Sequence, residues 1–327
     1  MRNYIIKRVL GMIPTLIIIS IITFILIQLP PGDLLTSRIE QLTRQGYAVN
    51  QEEIAALKAR YGLDQPMYIQ YLKWITRFIQ GDMGYSFSEE EAVRTLIGER
   101  LGYTVVIALS SMLFTWIVAL PIGIYSAVRQ YSIGDYIATV IGFLGLATPN
   151  FMLALILMYA GYKYFGFSIG GLFSPQYVNA PWSWPKFIDL LKHLWIPMVV
   201  VGTAGTAGMI RIMRANLLDE LEKPYVITAR AKGIKKMKLL IKYPVRIALN
   251  PFISTIGWML PGLFSGSIIT AVVLSLPTTG PLLLTSLLNQ DMYLAGSFIL
   301  ILSVLTVIGT LISDILLALV DPRIKYM

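Results

Sequence analysis

The sequence predicts an all-α, polytopic membrane protein with six transmembrane helices and both termini in the cytoplasm. The chain has 327 residues, of which 56% are hydrophobic and 14% charged, and its mean hydropathy is +0.67. It is therefore too apolar for a soluble enzyme of this length and too long for a single span. Charge-free runs long enough to cross about 30 Å of hydrocarbon recur along it. Basic residues are concentrated in some of the segments between these runs, which orients the protein in the membrane.

The predicted spans follow from these runs. The uncharged stretch from Ile247 to Gln290 would be about twice as long as a bilayer is thick, so it must contain a break. Pro277, Gly280 and Pro281 supply one, which places a fifth span near Ile253–Leu274, followed by a loop or a short re-entrant segment. The other five runs are Val9–Leu29, Leu101–Val128, Ile137–Tyr162, Leu194–Ile210 and Met292–Ser313.

The N-terminus resembles a signal peptide at first sight, because Arg2, Lys7 and Arg8 precede an apolar run. The run is long enough to span a bilayer, however, and Pro30-Pro31-Gly32 follows it instead of a small-residue cleavage site. We therefore expect residues 1–29 to form a cytoplasmic tail and an uncleaved first transmembrane helix.

Charge decides which side each segment occupies. Arg211 to Arg246 contains ten Lys or Arg and three acids, whereas residues 30–100 contain eight basic and ten acidic residues. The positive-inside rule places the first segment in the cytoplasm and residues 30–100 outside, as a small helical domain. Apolar residues at helical spacing predict helices at Ile54–Tyr61 and Met67–Ile79. Residues 101–320 then form a five-helix core with a cytoplasmic loop at 211–250, and residues 321–327 form a cytoplasmic tail.

Several classes of function are excluded. The net charge of +9 follows the positive-inside pattern, so nucleic-acid binding is not expected. The chain has no cysteine, and its single histidine, His193, has no partner at metal-ligand spacing, so we expect no metal site and no catalytic residues. No phosphate-binding G-x-x-x-x-G-K-[ST] sequence occurs, so any ATP and Mg²⁺ must be bound by a partner subunit.

Residues 224–233, Pro-Tyr-Val-Ile-Thr-Ala-Arg-Ala-Lys-Gly, lie within the most basic stretch. Pro224 suits the first turn of a helix, Ala229 and Ala231 favour its body, and Gly233 can adopt the left-handed conformation that ends it. A short exposed helix is therefore predicted here. From charge alone, an ordinary cytoplasmic loop is the simpler interpretation.

Several motifs resemble the B-type permease subunit of the dipeptide, oligopeptide and nickel ABC-importer family, over nearly the whole chain. Residues 224–233 resemble its EAA loop, and Asp321-Pro322-Arg323-Ile324 resembles its C-terminal D-P-R-I. Tyr61–Pro66 and Gly81–Ser86 resemble its G-L-D-x-P and G-D-L-G-x-S sequences, and Ala147–Phe151 resembles its S-x-P-x-F.

This resemblance implies a type I ABC-importer permease fold in the cell membrane of a prokaryote, surrounded by membrane lipid. It implies three kinds of partner: a homologous C-type permease subunit, two ABC ATPase subunits that hydrolyse ATP, and an extracytoplasmic solute-binding protein. The residues that it implies for ATPase coupling are Tyr225, Thr228, Ala229, Arg230, Ala231, Lys232 and Gly233. Gly81, Asp82, Gly84 and Ser86 are interpreted as a structured turn that packs the external domain, and they are also candidates for contact with the binding protein.

Small or helix-loosening residues mark candidates for the translocation pathway, although close helix packing explains them equally. They are Thr148, Pro149, Asn150, Gly205, Gly208, Gly262, Gly266 and Ala271. The carboxyl group of Asp314 lies in a predicted span, where a helix-end ion pair or a partner contact competes with a role in transport.

The solute is the least determined property. Peptide permeases often carry a Glu where this chain has Ala271, and Gln290 replaces a frequent Arg. Because the charged ends of a peptide need compensating groups in a low-dielectric pathway, these changes favour an oligosaccharide slightly over an oligopeptide. A secondary transporter is a much weaker alternative, since neither inverted repeats nor coupling-ion ligands are evident.

Overall fold

The computed structural model describes residues 2–29, 65–86, 88–165, 170–255 and 268–320. The first half of this part consists of α1 (Arg2–Gln28), α2 (Met67–Ile79), the two-residue strands β1 (Tyr85–Ser86) and β2 (Glu91–Ala92), α3 (Val93–Val128), α4 (Ile133–Ala147) and α5 (Asn150–Phe165). The second half consists of α6 (Trp184–Leu221), α7 (Pro224–Ala231), α8 (Lys236–Lys242), α9 (Pro244–Ala248), α10 (Ile268–Val273), α11 (Thr279–Leu288) and α12 (Met292–Val320). A 3₁₀ turn at Pro175–Tyr177 precedes α6, and residues 250–255 are helical.

Four of the described helices are long and apolar enough to cross a membrane. They contain the segments Ile6–Gln28, Val93–Val128, Trp184–Leu221 and Tyr293–Leu319. Three of the predicted spans are therefore confirmed as long apolar helices, and the fourth, Leu194–Ile210, is the middle of the 38-residue α6. At about 1.5 Å per residue, α6 is roughly 57 Å long, so it must extend well beyond the hydrocarbon.

The predicted third span, Ile137–Tyr162, is wrong as a single straight helix. Helices α4 and α5 meet at a bend of 101°. Only together are the two helices long and apolar enough for one membrane span. Thr148 is extended at the bend, with φ −85° and ψ 118°. The reason is Pro149, which removes a backbone donor and disfavours helical geometry in the residue before it.

The predicted break near Pro277 is confirmed. Helix α10 ends at Val273, Ser275 has a positive φ of 51°, and α11 begins at Thr279. The span predicted near Ile253–Leu274 lies largely outside the described residues. The helix predicted at Met67–Ile79 is confirmed with those bounds as α2, whereas Ile54–Tyr61 falls outside the described part.

The chain divides into two compact units. One contains residues 1–5, 103–278 and 306–327, and the other contains residues 6–102 and 279–305. In the second unit, Trp74 of α2 is buried against Phe24 of α1 and Tyr293 and Leu300 of α12. Strands β1 and β2 pair antiparallel in the same unit, with Tyr85 opposite Ala92.

Helix α6 is the centre of the first unit because small residues let its neighbours approach closely. A Cβ added to Gly202 would lie 2.6 Å from the Phe114 ring and 3.1 Å from the Ser111 backbone oxygen, both on α3. The hydroxyl of Thr115 donates a hydrogen bond of 3.0 Å to the backbone oxygen of Gly202. On another side of α6, Ala207 lies 3.6 Å from the Cβ position of Gly142 on α4. Backbone contact at such distances requires small residues.

Gly202 and Gly208 give a matched pair for testing this packing. Both lie within α6, but a Cβ on Gly208 would meet no atom within 4 Å. Gly208→Ala should leave stability unchanged or raise it by up to about 1 kcal/mol, because alanine favours helix. Gly202→Ala should lower stability by about 1–3 kcal/mol through overpacking. Thermal unfolding midpoints in one detergent would measure both effects, and a midpoint for Gly202→Ala at or above the wild type would contradict the packing described here.

Candidate functional site

The predicted short helix at residues 224–233 is present as α7. Lys223 is extended, with φ −67° and ψ 144°. Pro224 occupies the first turn, where a backbone N–H would have no acceptor within the helix, so proline costs no hydrogen bond there. The amide of Val226 donates to the Lys223 backbone oxygen at 2.9 Å. The hydroxyl of Thr228 donates to the Pro224 backbone oxygen, also at 2.9 Å.

Gly233 ends α7 in the left-handed conformation that the sequence predicted, with φ +73°. Its amide donates a hydrogen bond to the backbone oxygen of Arg230 at 3.0 Å. The amide of Ile234 donates to the backbone oxygen of Ala229 at 3.4 Å. These two bonds are those of a Schellman motif, which satisfies carbonyls that the helix end leaves unpaired. The motif fixes the direction in which the chain leaves α7.

One face of α7 packs against its own chain. Val226 is fully buried, Ala229 is 7% exposed, and both pack on Leu239 of α8. The hydroxyl of Tyr225 donates a hydrogen bond of 2.5 Å to the Glu220 carboxylate at the end of α6. The orientation of α7 is therefore set by contacts inside the subunit.

The opposite face of α7 is exposed. Five of the seven predicted coupling residues are exposed: Thr228, Arg230 and Ala231 on α7, and Lys232 and Gly233 directly after it. Tyr225 is half-buried, and Ala229 is buried against α8, where its small side chain allows close packing within the subunit. Ile227 is 57% exposed, although the sequence did not mark it as a candidate for partner contact. Helical spacing could have identified it, because positions 226 and 229 share the buried face and 227 does not.

Positive charge surrounds this exposed face. Residues 223–246 contain eight Lys or Arg, and no acid occurs between Glu222 and Asp291 in the sequence. In the described part of the chain, no three His, Cys, Asp or Glu side chains are placed to hold a metal ion. The chemistry that the site offers is therefore docking of a helix with an apolar and cationic surface.

Helix α6 connects α7 to the rest of the first unit through a partly buried ion pair. Arg214 donates from Nη2 to Oδ2 of Asp135 at 3.1 Å and from Nε to Oδ1 at 3.2 Å. Asp135, in the first turn of α4, is 4% exposed and also accepts a 3.0 Å hydrogen bond from the amide of Tyr131. Such a two-point pair fixes the relative orientation of two helices. The sequence did not predict this ion pair, although Asp135 is the last charge before the apolar run of α4.

An apolar cluster surrounds this connection. Met213 and Leu217 of α6 are fully buried, together with Ala119 of α3 and Phe252 after α9. A Cβ on Gly123 of α3 would lie 2.6 Å from the Cβ of Met213. The end of α3, the start of α4 and the end of α6 therefore form one tightly packed body with α8 and α9.

The turn at Gly81–Ser86 is the second predicted site. Gly81 ends α2 with φ +87° in another Schellman motif, and Gly84, with φ +90°, follows it. Asp82 is exposed, so it remains a candidate for contact with a binding protein. Ser86, however, is fully buried, and its hydroxyl donates to the Asp291 carboxylate at 2.6 Å. Asp291 also caps α12 by accepting from the Leu294 amide, so Ser86 packs as part of a structured turn against the start of that helix.

The predicted pathway residues in the described part of the chain lie on several different helices. Thr148, Pro149 and Asn150 lie at the bend between α4 and α5, and Gly205 and Gly208 are partly exposed on α6. Ala271 is 2% exposed in an apolar cluster with Leu172 and Leu274, so its own subunit covers it in this structure, and its place in the pathway stays a prediction. Gly262 and Gly266 lie outside the described residues.

Comparisons with known proteins agree over the whole chain. A sequence profile described as "Binding-protein-dependent transport system inner membrane component" matches residues 119–326. A second, for the N-terminal part of such membrane components, matches residues 1–108. The chain is 37% identical to the oligopeptide transport system permease protein AppB of Bacillus subtilis, with full coverage of both chains. It is 32% identical to a putative peptide permease protein of Brucella ovis, over 99% of each chain. It is 30% identical to the glutathione transport system permease protein GsiC of Salmonella typhimurium, again with full coverage of both.

The Asp135–Arg214 pair can be tested by a double-mutant cycle. Asp135→Asn and Arg214→Gln should each destabilise the protein by about 2–4 kcal/mol, because each leaves a partly buried group without its partner. The double variant should recover part of this loss, with a coupling of about 1–3 kcal/mol. The four unfolding midpoints in detergent would measure the coupling. Strictly additive losses would show that the two side chains do not stabilise each other.

Proposed function

Because the chain belongs to the family of binding-protein-dependent transport system inner membrane components, we propose that it is one permease subunit of an ATP-driven importer of peptides. The observation that carries the proposal is α7, a short helix held rigidly on its own chain with an exposed, cationic outer face. A helix of this kind fits a groove on a soluble partner subunit. Two ATPase subunits would bind ATP and Mg²⁺, since this chain has no sequence of the phosphate-binding type.

The proposed mechanism transmits motion from the ATPases to the membrane. When the ATPases close on ATP, they draw α7 of this subunit towards its counterpart in a homologous C-type permease subunit. Tyr225 holds α7 to the end of α6, and Arg214 holds α6 to α4 through Asp135. Movement of α7 therefore reorients packed helices together, because a close-packed body moves as a unit. An extracytoplasmic binding protein would deliver the solute.

The proposed topology has six spans with both termini in the cytoplasm of a prokaryote. It combines the four long helices with the bent pair α4 and α5 and with a span near Ile253–Leu274. The positive-inside rule supports a cytoplasmic position for residues 211–250 and an external position for residues 30–100.

Peptides are the proposed solute class. Relatives over the full length of the chain carry the names oligopeptide permease and glutathione permease. The slight preference for an oligosaccharide depended partly on Ala271, which stands where peptide permeases often carry a Glu. In the structure, however, Ala271 is buried in an apolar cluster. A carboxylate at that place would lie inside the subunit in this structure, which weakens the argument from its absence.

Gly233 provides the test of ATPase coupling. Gly233→Val should destabilise the left-handed turn by about 1–2 kcal/mol and displace the end of α7. The variant should insert normally but lose the stimulation of ATP hydrolysis by loaded binding protein, measured with the complete transporter in vesicles. Gly233→Asn is the matched control, because asparagine tolerates this conformation and a Cβ here meets no atom of the subunit within 4 Å. Wild-type stimulation in Gly233→Val would remove the coupling role from α7.

Topology can be tested with single cysteines, since the chain contains none. A membrane-impermeant thiol reagent added to intact cells should label Glu89→Cys and leave Lys236→Cys unlabelled, because the two exposed positions are expected on opposite sides. Permeabilised cells should label both and serve as the control. Labelling of position 236 in intact cells would reverse the proposed orientation.

The solute class can be tested on the cognate binding protein. Calorimetric titration with panels of peptides and oligosaccharides should show tight binding of peptides and no response to sugars, because the curated relatives with full-length coverage are named for peptides and glutathione. Tight binding of an oligosaccharide with no peptide response would restore the expectation drawn from sequence.

A further inference from the structure

Helix α8, which follows α7, exposes an apolar pair. Met237 is 65% exposed and Ile241 is 61% exposed, although Leu239 and Leu240 of the same helix are buried. Met237 and Ile241 are four residues apart, so they lie side by side on one flank of the helix. Neither is among the residues that the resemblance assigns to ATPase coupling.

The buried side chains fix where α8 lies. Leu239 packs on Val226 and Ala229 of α7. Leu240 packs in the cluster that contains Ala127, near the end of α3, and Leu217, near the end of α6. Both α3 and α6 are long and apolar enough to cross a membrane. Helix α8 is therefore held beside the ends of α3 and α6, and Ala127 lies within one turn of the end of the predicted span Leu101–Val128.

Cations flank the apolar pair. Lys235, Lys236, Lys238 and Lys242 are all exposed, and the Lys242 ammonium lies 5.6 Å from the centre of the Tyr243 ring. No acid occurs within the sequence from residue 223 to residue 290. Lysines beside exposed apolar side chains at a span end are typical of a helix that lies in the membrane interface, with the ammonium groups at the headgroups.

We propose that this surface of α8, formed by Met237, Ile241, Lys236, Lys238 and Lys242, binds anionic phospholipids of the cytoplasmic leaflet. The two apolar side chains enter the boundary between headgroups and acyl chains, and the lysines contact lipid phosphates. Charge complementarity selects anionic lipid over zwitterionic lipid. The inference rests on the proposed cytoplasmic position of residues 211–250, and it is independent of ATPase docking on α7.

Spin labels can measure the depth of this surface. Met237→Cys and Ile241→Cys, labelled in the cysteine-free chain and assembled with its partner subunits in vesicles, should collide more with membrane-dissolved oxygen than with an aqueous nickel chelate. Ile227→Cys on α7 is the control and should not show the oxygen preference. A label at 237 that is shielded from both reagents would place a partner protein on the surface, and one that collides mainly with the nickel chelate would leave it in water. Either result overturns the proposal.

A second measurement tests the lipid charge. In vesicles of phosphatidylcholine, addition of phosphatidylglycerol should move the label at 237 deeper. The shift should be lost in the Lys236→Gln, Lys238→Gln, Lys242→Gln variant and kept when Lys73, on α2, is changed to Gln. A depth that does not respond to phosphatidylglycerol overturns the anionic selectivity. Failure of the underlying topology is distinguishable, because Lys236→Cys would then be labelled from outside intact cells.

Discussion

The close packing of α6 is the constraint on which the first unit depends. Gly202 brings the α6 backbone against α3, and the small residues Thr203 and Ala207 face Gly145 and Gly142 of α4. In hydrocarbon, apolar side chains gain little from contact with one another compared with contact with lipid, so association depends on close van der Waals packing and on hydrogen bonds between helices. The bond from Thr115 to the Gly202 backbone oxygen is of the latter kind. Bulk at these positions would separate α3, α4 and α6 together.

Two buried carboxylates play similar parts, one in each unit. Asp135 lies at the start of α4 and pairs with Arg214, and Asp291 lies at the start of α12 and accepts from Ser86 and Ser88. Each carboxylate sits where free amide groups at a helix start favour negative charge. Each also joins segments that are far apart in sequence. Burying a carboxylate costs free energy unless its hydrogen-bond partners are all present. The arrangement of these partners is therefore specific.

The path from α7 into the membrane follows from the same packing. Because Val226 and Ala229 are buried against α8, the outer face of α7 is chosen by the fold and not by the local sequence. Helix α6 continues without a break to Leu221, and Tyr225 of α7 binds Glu220 at its end. The buried Leu239 and Leu240 place α8 between α7 and the span ends, which leaves its other flank for the membrane surface.

The sequence by itself determined the class of protein, the long apolar helices, the exact bounds of α2, the break before α11 and the left-handed end of α7. These depend on local properties: run length, charge, helical periodicity and the conformations that Pro and Gly allow. Only the tertiary structure decided which side of a helix is buried. It showed that Ser86, Ala229 and Ala271 point inward, that Gly202 and Gly208 on one helix have different surroundings, and that Asp135 meets Arg214. Burial and pairing depend on residues distant in the chain, which a local pattern does not contain.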